Sequence, residues 1–190
     1  MKNSLLAISS LLIFSLAASA SPATQDNQPA GGLSQKSYDR IVKEVRHELV
    51  MLPFYGVFDN LSYKVDPDGT VTLLGQVARP VLKNDAEKAV KRIEGVTTVV
   101  NNIEVLPTSI MDDQIRRATY RAIYGNAALS EYQMRAVPPI HIIVKGGHVT
   151  LEGVVARQMD KQIAGVQANS VPGVFSVTNN LVVEEDEKKK

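Results

Sequence analysis

Cysteine and tryptophan are both missing from the 190 residues of this chain, and aromatic residues make up only 5% of it. Without cysteine the chain forms no disulfide, holds no thiolate-bound metal and has no cysteine to carry a lipid anchor, so it is predicted not to be a lipoprotein. The stability of the fold therefore has to come from the packing of mainly aliphatic side chains.

A large excess of charge of either sign is also missing. The chain has 21 basic and 20 acidic residues and a formal net charge of +1, whereas nucleic-acid-binding domains normally carry a clear basic excess. We therefore expect no nucleic-acid partner. The charge is nevertheless uneven: residues 33–107 hold ten basic and ten acidic residues, while residues 108–183 hold seven basic and five acidic ones. The second half is the more cationic of the two.

The first twenty residues have the pattern of an export signal. A basic Lys2 precedes an apolar run at residues 5–16 and a small-residue cleavage sequence at residues 18–20. A membrane anchor is the alternative, but spanning a bilayer takes about 20 apolar residues, and this run is shorter and interrupted by serines. The sequence therefore predicts a cleaved signal peptide over residues 1–20 and a periplasmic or secreted protein.

Two further segments have compositions typical of chain without fixed structure. Residues 21–34 are rich in small and polar residues and contain almost no large apolar side chain, which predicts a flexible leader. Residues 185–190 form a block of acidic and then basic residues, which predicts a solvated charged tail.

The rest of the chain repeats itself. Residues 69–105 recur at residues 147–183 with a constant offset of 78 and no gap, and 16 of the 37 aligned positions are identical. The identities concentrate at glycines, β-branched residues and an Asn-Asn pair. We interpret the chain as a duplicated small domain, with the two copies at residues 35–106 and 109–184.

Each copy has the pattern helix, strand, strand, helix, strand. In the first copy, apolar residues at helical spacing predict a helix over about residues 38–50, with Ser37 as its cap. Apolar and polar residues alternate over residues 70–77, which predicts a half-buried strand. Gly75 lies on the apolar face of this strand, where we expect the second helix to approach closely. Residues 96–105 are predicted to form one final strand.

These elements predict an α+β fold. Because β-α-β connections are right-handed in nearly all proteins, both helices of a copy can be placed on the same side of its sheet. We expect two tandem αββαβ modules, each a three-stranded sheet with two helices on one face. A module of this size without a disulfide or a metal is marginally stable alone, so we expect the copies to pack on each other or on a second chain.

The repeated pattern resembles a known family. Each copy contains Gly-x-Val-Thr-Leu-x-Gly-x-Val, then a helix, then Gly-Val-x-x-Val-x-Asn-x-Ile/Leu-x-Val. This pattern, present twice behind a predicted signal peptide, resembles the BON domain (bacterial osmotically inducible and nodulation domain) over about residues 35–184. One departure is the longer segment between the first helix and the first strand of the second copy, residues 125–139.

The resemblance implies αββαβ modules of exported bacterial envelope proteins, some of them induced by osmotic or envelope stress. It also implies a non-enzymatic protein that contacts phospholipid surfaces or other envelope proteins. The residues themselves agree, because they supply no acid–base pair, no nucleophile with a base and no metal-ligand set. His141 and His148 lack the further ligands that a metal site needs. We therefore expect no enzymatic activity, no metal and no cofactor.

The first helix of the second copy holds the candidates for lipid binding. Opposite the apolar stripe that contains Ile115, a helical wheel places a basic and aromatic face made of Arg116, Arg117, Tyr120, Arg121 and Tyr124. Arginines interleaved with tyrosines suit an anionic phospholipid surface. Three arginines contribute about 3 kcal/mol there, less than the roughly 4 kcal/mol of a millimolar complex, so stable attachment needs a further contact. The alternative is an ordinary solvated helix face.

Two apolar segments, at residues 49–58 and 125–139, are candidates for contact with a protein partner. Exposed apolar patches usually mark interaction sites, and long loops are often functional. On this alternative the chain is a protein-binding or self-assembling module, with a homo-oligomer as its assembled form; the competing interpretation is that both segments fold back over a small core. The candidate contact residues are Phe54, Tyr55 and Phe58 in the first segment and Leu129, Tyr132 and Met134 in the second.

Overall fold

The structure is a computed structural model and describes residues 32–184. The predicted signal peptide, the predicted leader as far as residue 31 and the predicted charged tail lie outside the described residues.

In chain order, the described residues form helices and strands in two similar runs. The helices are Gln35–Val50 (α1), Pro80–Val90 (α2), Ile110–Tyr124 (α3) and Gln158–Asn169 (α4), with a short 3-10 helix at Ser130–Met134. The strands are Asn60–Val65 (β1), Thr70–Val77 (β2), Thr98–Asn101 (β3), Glu104–Val105 (β4), Ile140–Lys145 (β5), His148–Val155 (β6), Ser176–Asn179 (β7) and Val182–Val183 (β8).

Two segments that join a first helix to a first strand occupy equivalent places in the repeat. Residues 51–59, between α1 and β1, are called the first connector, and residues 125–139, between α3 and β5, the second connector. The run α1 to β4 is called the first module and the run α3 to β8 the second.

Each module is built around one central strand. In the first module, β2 pairs with β1 in antiparallel fashion and with β3 and β4 in parallel. In the second module, β6 holds the same place between β5 on one side and β7 and β8 on the other. The last strand of each module, predicted as continuous, is divided into two pieces. The predicted α+β class and the two αββαβ modules are confirmed.

The repeated asparagine accounts for the division of the last strand. Nδ2 of Asn101 donates a hydrogen bond to the carbonyl oxygen of Lys83 on α2 (2.9 Å), and its Oδ1 accepts the backbone N–H of Ile103 (3.2 Å). Asn179 makes the two equivalent contacts in the second module, at 2.7 and 3.3 Å. The side chain takes up a backbone N–H at the break and ties the sheet to its helix.

The core of each module lies between the sheet and its helices. In the first module, Ile41 and Val45 of α1 and Val71 and Leu73 of β2 are all 0% exposed. Helix spacing brings side chains four residues apart to one face, and strand alternation does the same for side chains two apart. The two periodic patterns of the sequence therefore meet in a single buried layer.

The first helix begins earlier than predicted. Its N-cap is Ser34, whose Oγ accepts the backbone N–H of Ser37 at 3.2 Å, so the assignment of Ser37 as the cap is wrong. Ser34 and Ser37 both precede the first apolar residues of the helix, and only the hydrogen bond between them shows that Ser34 is the cap. The backbone N–H of Leu33 also donates to the carbonyl oxygen of Pro67 (2.7 Å), so the fold begins within the last residues assigned to the leader.

The close approach at Gly75 is made by a strand and not by a helix, contrary to prediction. A Cβ on Gly75 would lie 2.1 Å from the carbonyl oxygen of Asn60, and one on Gly153 would lie 2.0 Å from that of Pro139. Both glycines have a positive φ, at 106° and 115°. A side chain is excluded at both positions because the neighbouring backbone occupies its place.

The first connector joins the two modules. Its Val57 carbonyl oxygen accepts the backbone N–H of Ile142 on β5 (2.7 Å), and the rings of Tyr55 and His141 stack with centroids 5.6 Å apart. Val57 and Phe58 pack against the core of the second module. Within the chain, the two copies therefore pack on each other.

Candidate functional site

The second connector is fixed to its module by buried residues. Leu129 is 0% exposed and Tyr132 is 3% exposed. The Tyr132 hydroxyl donates to Oδ2 of Asp160 (2.7 Å) and accepts the backbone N–H of Ala156 (2.9 Å). The prediction of Leu129 and Tyr132 as partner contacts is wrong, because both side chains are part of the core. Met134, which is 88% exposed, is accessible.

A charge-assisted network anchors this connector. Burial acts to raise the pKa of Asp160, but hydrogen bonds from Arg157 (3.1 Å to each carboxylate oxygen) and from Tyr132 outweigh it and hold that pKa below its usual value. Burial first, and the Asp160 carboxylate second, raise the pKa of Tyr132 to about 12. The hydroxyl therefore stays protonated and donates to a carboxylate, which is the stronger kind of hydrogen bond.

Two of the five residues predicted on the exposed face of α3 are buried. Arg116 is 5% exposed, donates from Nη2 to the carbonyl oxygen of Val144 (2.7 Å) and pairs with Asp113. Tyr124 is 2% exposed, and its hydroxyl exchanges two hydrogen bonds with the backbone of Ile140. The helical wheel is wrong for both residues. Strand β5 covers not only the apolar stripe that contains Ile115 but also the neighbouring side chains of α3.

The other three predicted residues of α3 line an open groove. Arg117 and Arg121 are exposed, and Tyr120 between them is half-buried. The groove has a volume of about 510 Å³. It lies where α3, the second connector and the first connector meet, and it is called the arginine groove.

Both connectors contribute to the arginine groove. The second connector supplies Gln133, Arg135 and Pro138, and the first connector supplies Val57 and Phe58. Neither Arg135 nor Val57 was among the contact residues predicted from the sequence. Arg135 could have been noticed as a basic residue in the unusually long connector, but its proximity to α3 depends on how that connector folds.

The aromatic part of the groove is held in place by its neighbours. The rings of Phe58 and Tyr120 meet edge to face with centroids 6.2 Å apart, and the rings of Tyr120 and Tyr124 lie 4.9 Å apart. Nε2 of Gln133 donates to the Tyr120 hydroxyl (3.1 Å). Tyr120 therefore presents a fixed ring between the two arginines of α3.

The arginine groove is cationic. Arg117, Arg121 and Arg135 are all exposed, and none of them forms an ion pair with another residue of the described part of the chain. Among residues 32–184, no side chain that lines the groove carries a carboxylate. A guanidinium presents five N–H donors in a planar fork that fits phosphate and carboxylate oxygens. The geometry therefore suits an anion.

The three candidates of the first connector have three different environments. Phe54 is 66% exposed and has a φ of 69°. The guanidinium carbon of Arg79 lies over the Phe54 ring, 5.2 Å from the ring centroid. Tyr55 is half-buried against His141, and this burial raises the pKa of Tyr55 to about 12. Phe58 lines the arginine groove. Of these three, only Phe54 is exposed as a partner contact requires.

Two other features, a metal site and a membrane span, are absent from residues 32–184. In that range, no group of three or more His, Cys, Asp or Glu side chains is placed to hold a metal ion. No helix in the same range has both the length and the apolar character that a bilayer-spanning segment needs.

Comparison with known families decides the classification. The sequence pattern of the BON domain matches the chain twice, over residues 39–107 and over residues 112–185. The chain belongs to the BON domain family. The resemblance seen in the sequence is thereby confirmed, and the two modules are its two BON domains. The arginine groove lies on the second BON domain, with two residues contributed by the first.

Two solved structures are similar to this BON protein. One is CdsD, a structural protein of the type III secretion system of Chlamydia trachomatis, at 11% identity and a TM-score of 0.32, covering 79% of this chain and 96% of that one. The other is the C-terminal domain of CdsD, at 12% identity and a TM-score of 0.29, covering 75% and 96% respectively. No curated protein matches the chain.

Proposed function

We propose that this BON protein is an exported, non-catalytic envelope protein that binds anionic phospholipid surfaces through the arginine groove. The observation that carries the proposal is the set of three exposed arginines without ion-pair partners in residues 32–184, gathered around the Tyr120 ring in a groove without a lining carboxylate. Arg117, Arg121 and Arg135 pair with headgroup phosphates, and Tyr120 lies at headgroup depth. Arg116 and Tyr124, predicted for this role, support the fold instead.

Electrostatic attraction alone is too weak for stable attachment. Each basic side chain near an anionic surface contributes about 1 kcal/mol, so three give roughly 3 kcal/mol. Met134 adjoins Arg135 in the chain and is 88% exposed. Burial of its side chain among lipid tails adds about 1.5–3 kcal/mol. The total of roughly 5 kcal/mol corresponds to a dissociation constant below about 1 mM.

The envelope location rests on two further arguments. The family is associated with exported bacterial proteins and with phospholipid or envelope-protein contact, in some members under osmotic or envelope stress. The predicted signal peptide over residues 1–20, although outside the described residues, supports export. A role in envelope stress fits a surface-binding adaptor that carries no reaction chemistry.

Co-sedimentation with liposomes tests the proposal. The protein without residues 1–20 should pellet with vesicles that contain phosphatidylglycerol and much less with pure phosphatidylcholine. Raising the salt from about 0.05 to 0.5 M should weaken binding, because the Debye length then falls to a few ångströms. Replacement of Arg117, Arg121 and Arg135 by glutamine should abolish pelleting. Unchanged pelleting of that variant would contradict the proposal.

A protein-binding or self-assembling module is the second candidate, and Phe54 is the observation that favours it. A non-glycine residue with a φ of 69° is uncommon, and here it carries a ring that is 66% exposed. Such backbone conformations cluster at functional sites. Light scattering tests this candidate: a concentration-dependent dimer that Phe54→Ala converts to monomer supports it, and a monomer at all concentrations contradicts self-assembly.

A further inference from the structure

The arginine groove is not confined to one BON domain. Its three arginines and Tyr120 belong to the second module, whereas Val57 and Phe58 belong to the first connector. The groove lies where the two equivalent connectors of the duplicated chain meet. The length of the second connector, 15 residues against 9 in the first, gives it room to form the opposite wall.

The residues of the first connector are held firmly in the groove. The carbonyl oxygen of Val57 accepts the N–H of Ile142 on β5 at 2.7 Å, and Phe58 meets Tyr120 edge to face with centroids 6.2 Å apart. Both side chains also pack against the core of the second module. Their place in the groove is therefore set by the docking of the modules.

We propose that the arginine groove binds a single anionic phospholipid molecule, and that the site is complete only when both BON domains are docked. The phosphate pairs with Arg117, Arg121 and Arg135. The glycerol and the first methylene groups lie against Val57, Phe58 and Tyr120. This inference rests on the proposed function and adds to it a defined ligand, a concave site and a requirement for the first module.

The lining, which combines guanidinium groups with apolar side chains, favours one lipid over a purely electrostatic contact. Pockets for small ligands usually measure about 300–1,000 Å³ and combine an apolar lining with a few polar groups, and the arginine groove has a volume of about 510 Å³. Inorganic phosphate would satisfy the guanidinium groups but leave the apolar residues uncovered. A phospholipid satisfies both parts of the site.

The same geometry links lipid binding to the docking of the modules. A ligand that touches both modules binds the docked arrangement more tightly than the undocked one, so it stabilises the docked arrangement. The first module then has a direct part in lipid binding, although all three arginines lie on the second.

Nuclear magnetic resonance on the whole protein without residues 1–20 tests the inference without any substitution. Dihexanoyl phosphatidylglycerol is titrated below its micelle concentration. The expected result is saturable shifts of the backbone amides of Val57 and Phe58 together with those of Arg117, Arg121 and Arg135. Inorganic phosphate at the same concentration should shift the arginine-bearing segments only, and more weakly. Lipid-induced shifts confined to α3 and the second connector would overturn the inference.

Substitutions provide a second measurement. Phe58→Leu keeps an apolar core contact but removes the ring, and we expect it to weaken lipid affinity about fivefold, the effect of roughly 1 kcal/mol. Phe175→Ala is the matched control, because that ring is 79% exposed and lies outside the groove. If Phe58→Leu and Phe175→Ala bind equally while the triple arginine variant loses binding, the inference fails and the proposed function stands. If the triple arginine variant also binds normally, the proposed function fails.

Discussion

The ring of Tyr55 in the first module stacks on the ring of His141 in the second, with centroids 5.6 Å apart and planes inclined by 30°. One ring nitrogen of His141, Nδ1, is buried without a hydrogen-bond partner among the described residues. Around this histidine lie the buried carboxylate of Asp59, the acidic Glu152 and, in an adjoining cavity, Arg46 and Arg135. The contact between the modules therefore includes a titratable group in a poorly solvated place.

This contact predicts that acid weakens the protein. Burial lowers the pKa of His141 despite the opposing effect of nearby backbone carbonyls and of Asp59. Below a pH of about 6.5, the unfolded chain takes up a proton that the folded chain resists, so stability falls by at most about 1.4 kcal/mol per pH unit. Above that pH the unfolded chain no longer takes up this proton, so the loss of stability is absent.

Thermal unfolding between pH 8 and pH 5 measures the effect. His141→Phe preserves a ring against Tyr55 and should reduce the loss of stability on acidification. The exposed His47 provides the control, and His47→Gln should retain the wild-type pH profile. Identical profiles for His141→Phe and the wild type would show that His141 does not cause the acid sensitivity. The comparison is needed because burial raises the pKa of Asp59. Protonation of this carboxyl on acidification therefore stabilises the folded protein, which opposes the effect of His141.

The hydroxyl of Tyr132 is predicted to be a main support of the second connector. Tyr132→Phe removes a 2.7 Å hydrogen bond to the buried Asp160 and a 2.9 Å bond from Ala156. Hydrogen bonds to charged groups contribute about 1.5–3 kcal/mol, so we expect a loss of about 2 kcal/mol in urea denaturation. Tyr63→Phe, which removes one 2.8 Å bond to a carbonyl oxygen, should lose about 1 kcal/mol. An equal or larger loss for Tyr63→Phe would show that the Tyr132 hydroxyl is not a main support of the second connector.

The asparagine at the break of the last strand should matter more than its neighbour in the sequence. Asn101→Ala removes two hydrogen bonds to α2, to the carbonyl oxygen of Lys83 and to the carboxylate of Glu87, and leaves the N–H of Ile103 without its acceptor. We expect a loss of about 1–3 kcal/mol in chemical denaturation, the penalty for unsatisfied buried polar groups. Asn102→Ala is the control, because Asn102 is exposed and should change stability by less than about 0.5 kcal/mol. Similar losses at both positions would rule out this role for Asn101.

A methyl group at Gly75 should disrupt the pairing of β1 with β2. The added Cβ would lie 2.1 Å from the carbonyl oxygen of Asn60, and the φ of 106° is unfavourable for alanine. We expect Gly75→Ala to lose more than about 2 kcal/mol, whereas Gly56→Ala, with no atom within 4 Å of the added group, should be nearly neutral. Urea denaturation compares them. A Gly75→Ala protein as stable as Gly56→Ala would show that the strand shifts freely.

The fold was largely predictable because its signals are local and occur twice. Apolar spacing located the helices, alternation located β2 at residues 70–77, and the gap-free repeat carried each assignment to the second module. The division of the last strand was not predictable, because it depends on a side-chain contact between Asn101 and α2. The repeat marked this asparagine without showing what it contacts.

The candidate site was only partly predictable, because it is assembled from distant segments. Arg117, Tyr120 and Arg121 follow one another on α3 and were found from the sequence. Arg116 and Tyr124 are covered by β5, which is far from them in the chain. Arg135, in the second connector, reaches the groove only through the fold of that connector. Periodicity describes one helix face and does not say what covers it.

On the proposed function, the position of the arginines, and not the net charge of the protein, determines lipid binding. Vesicle co-sedimentation with phosphatidylglycerol distinguishes position from net charge when two triple variants of equal net charge are compared. In the groove variant, Arg117, Arg121 and Arg135 are replaced by glutamine. In the first-module variant, the exposed residues Lys36, Lys43 and Arg92 are replaced by glutamine.

We expect the groove variant to lose about a hundredfold in affinity, since each arginine contributes about 1 kcal/mol and 1.4 kcal/mol is a factor of ten. The first-module variant should keep the wild-type affinity within a factor of about three, because charges far from the surface are screened. Equal losses in the two variants, or no loss in the groove variant, would show that the arginine groove does not determine lipid binding.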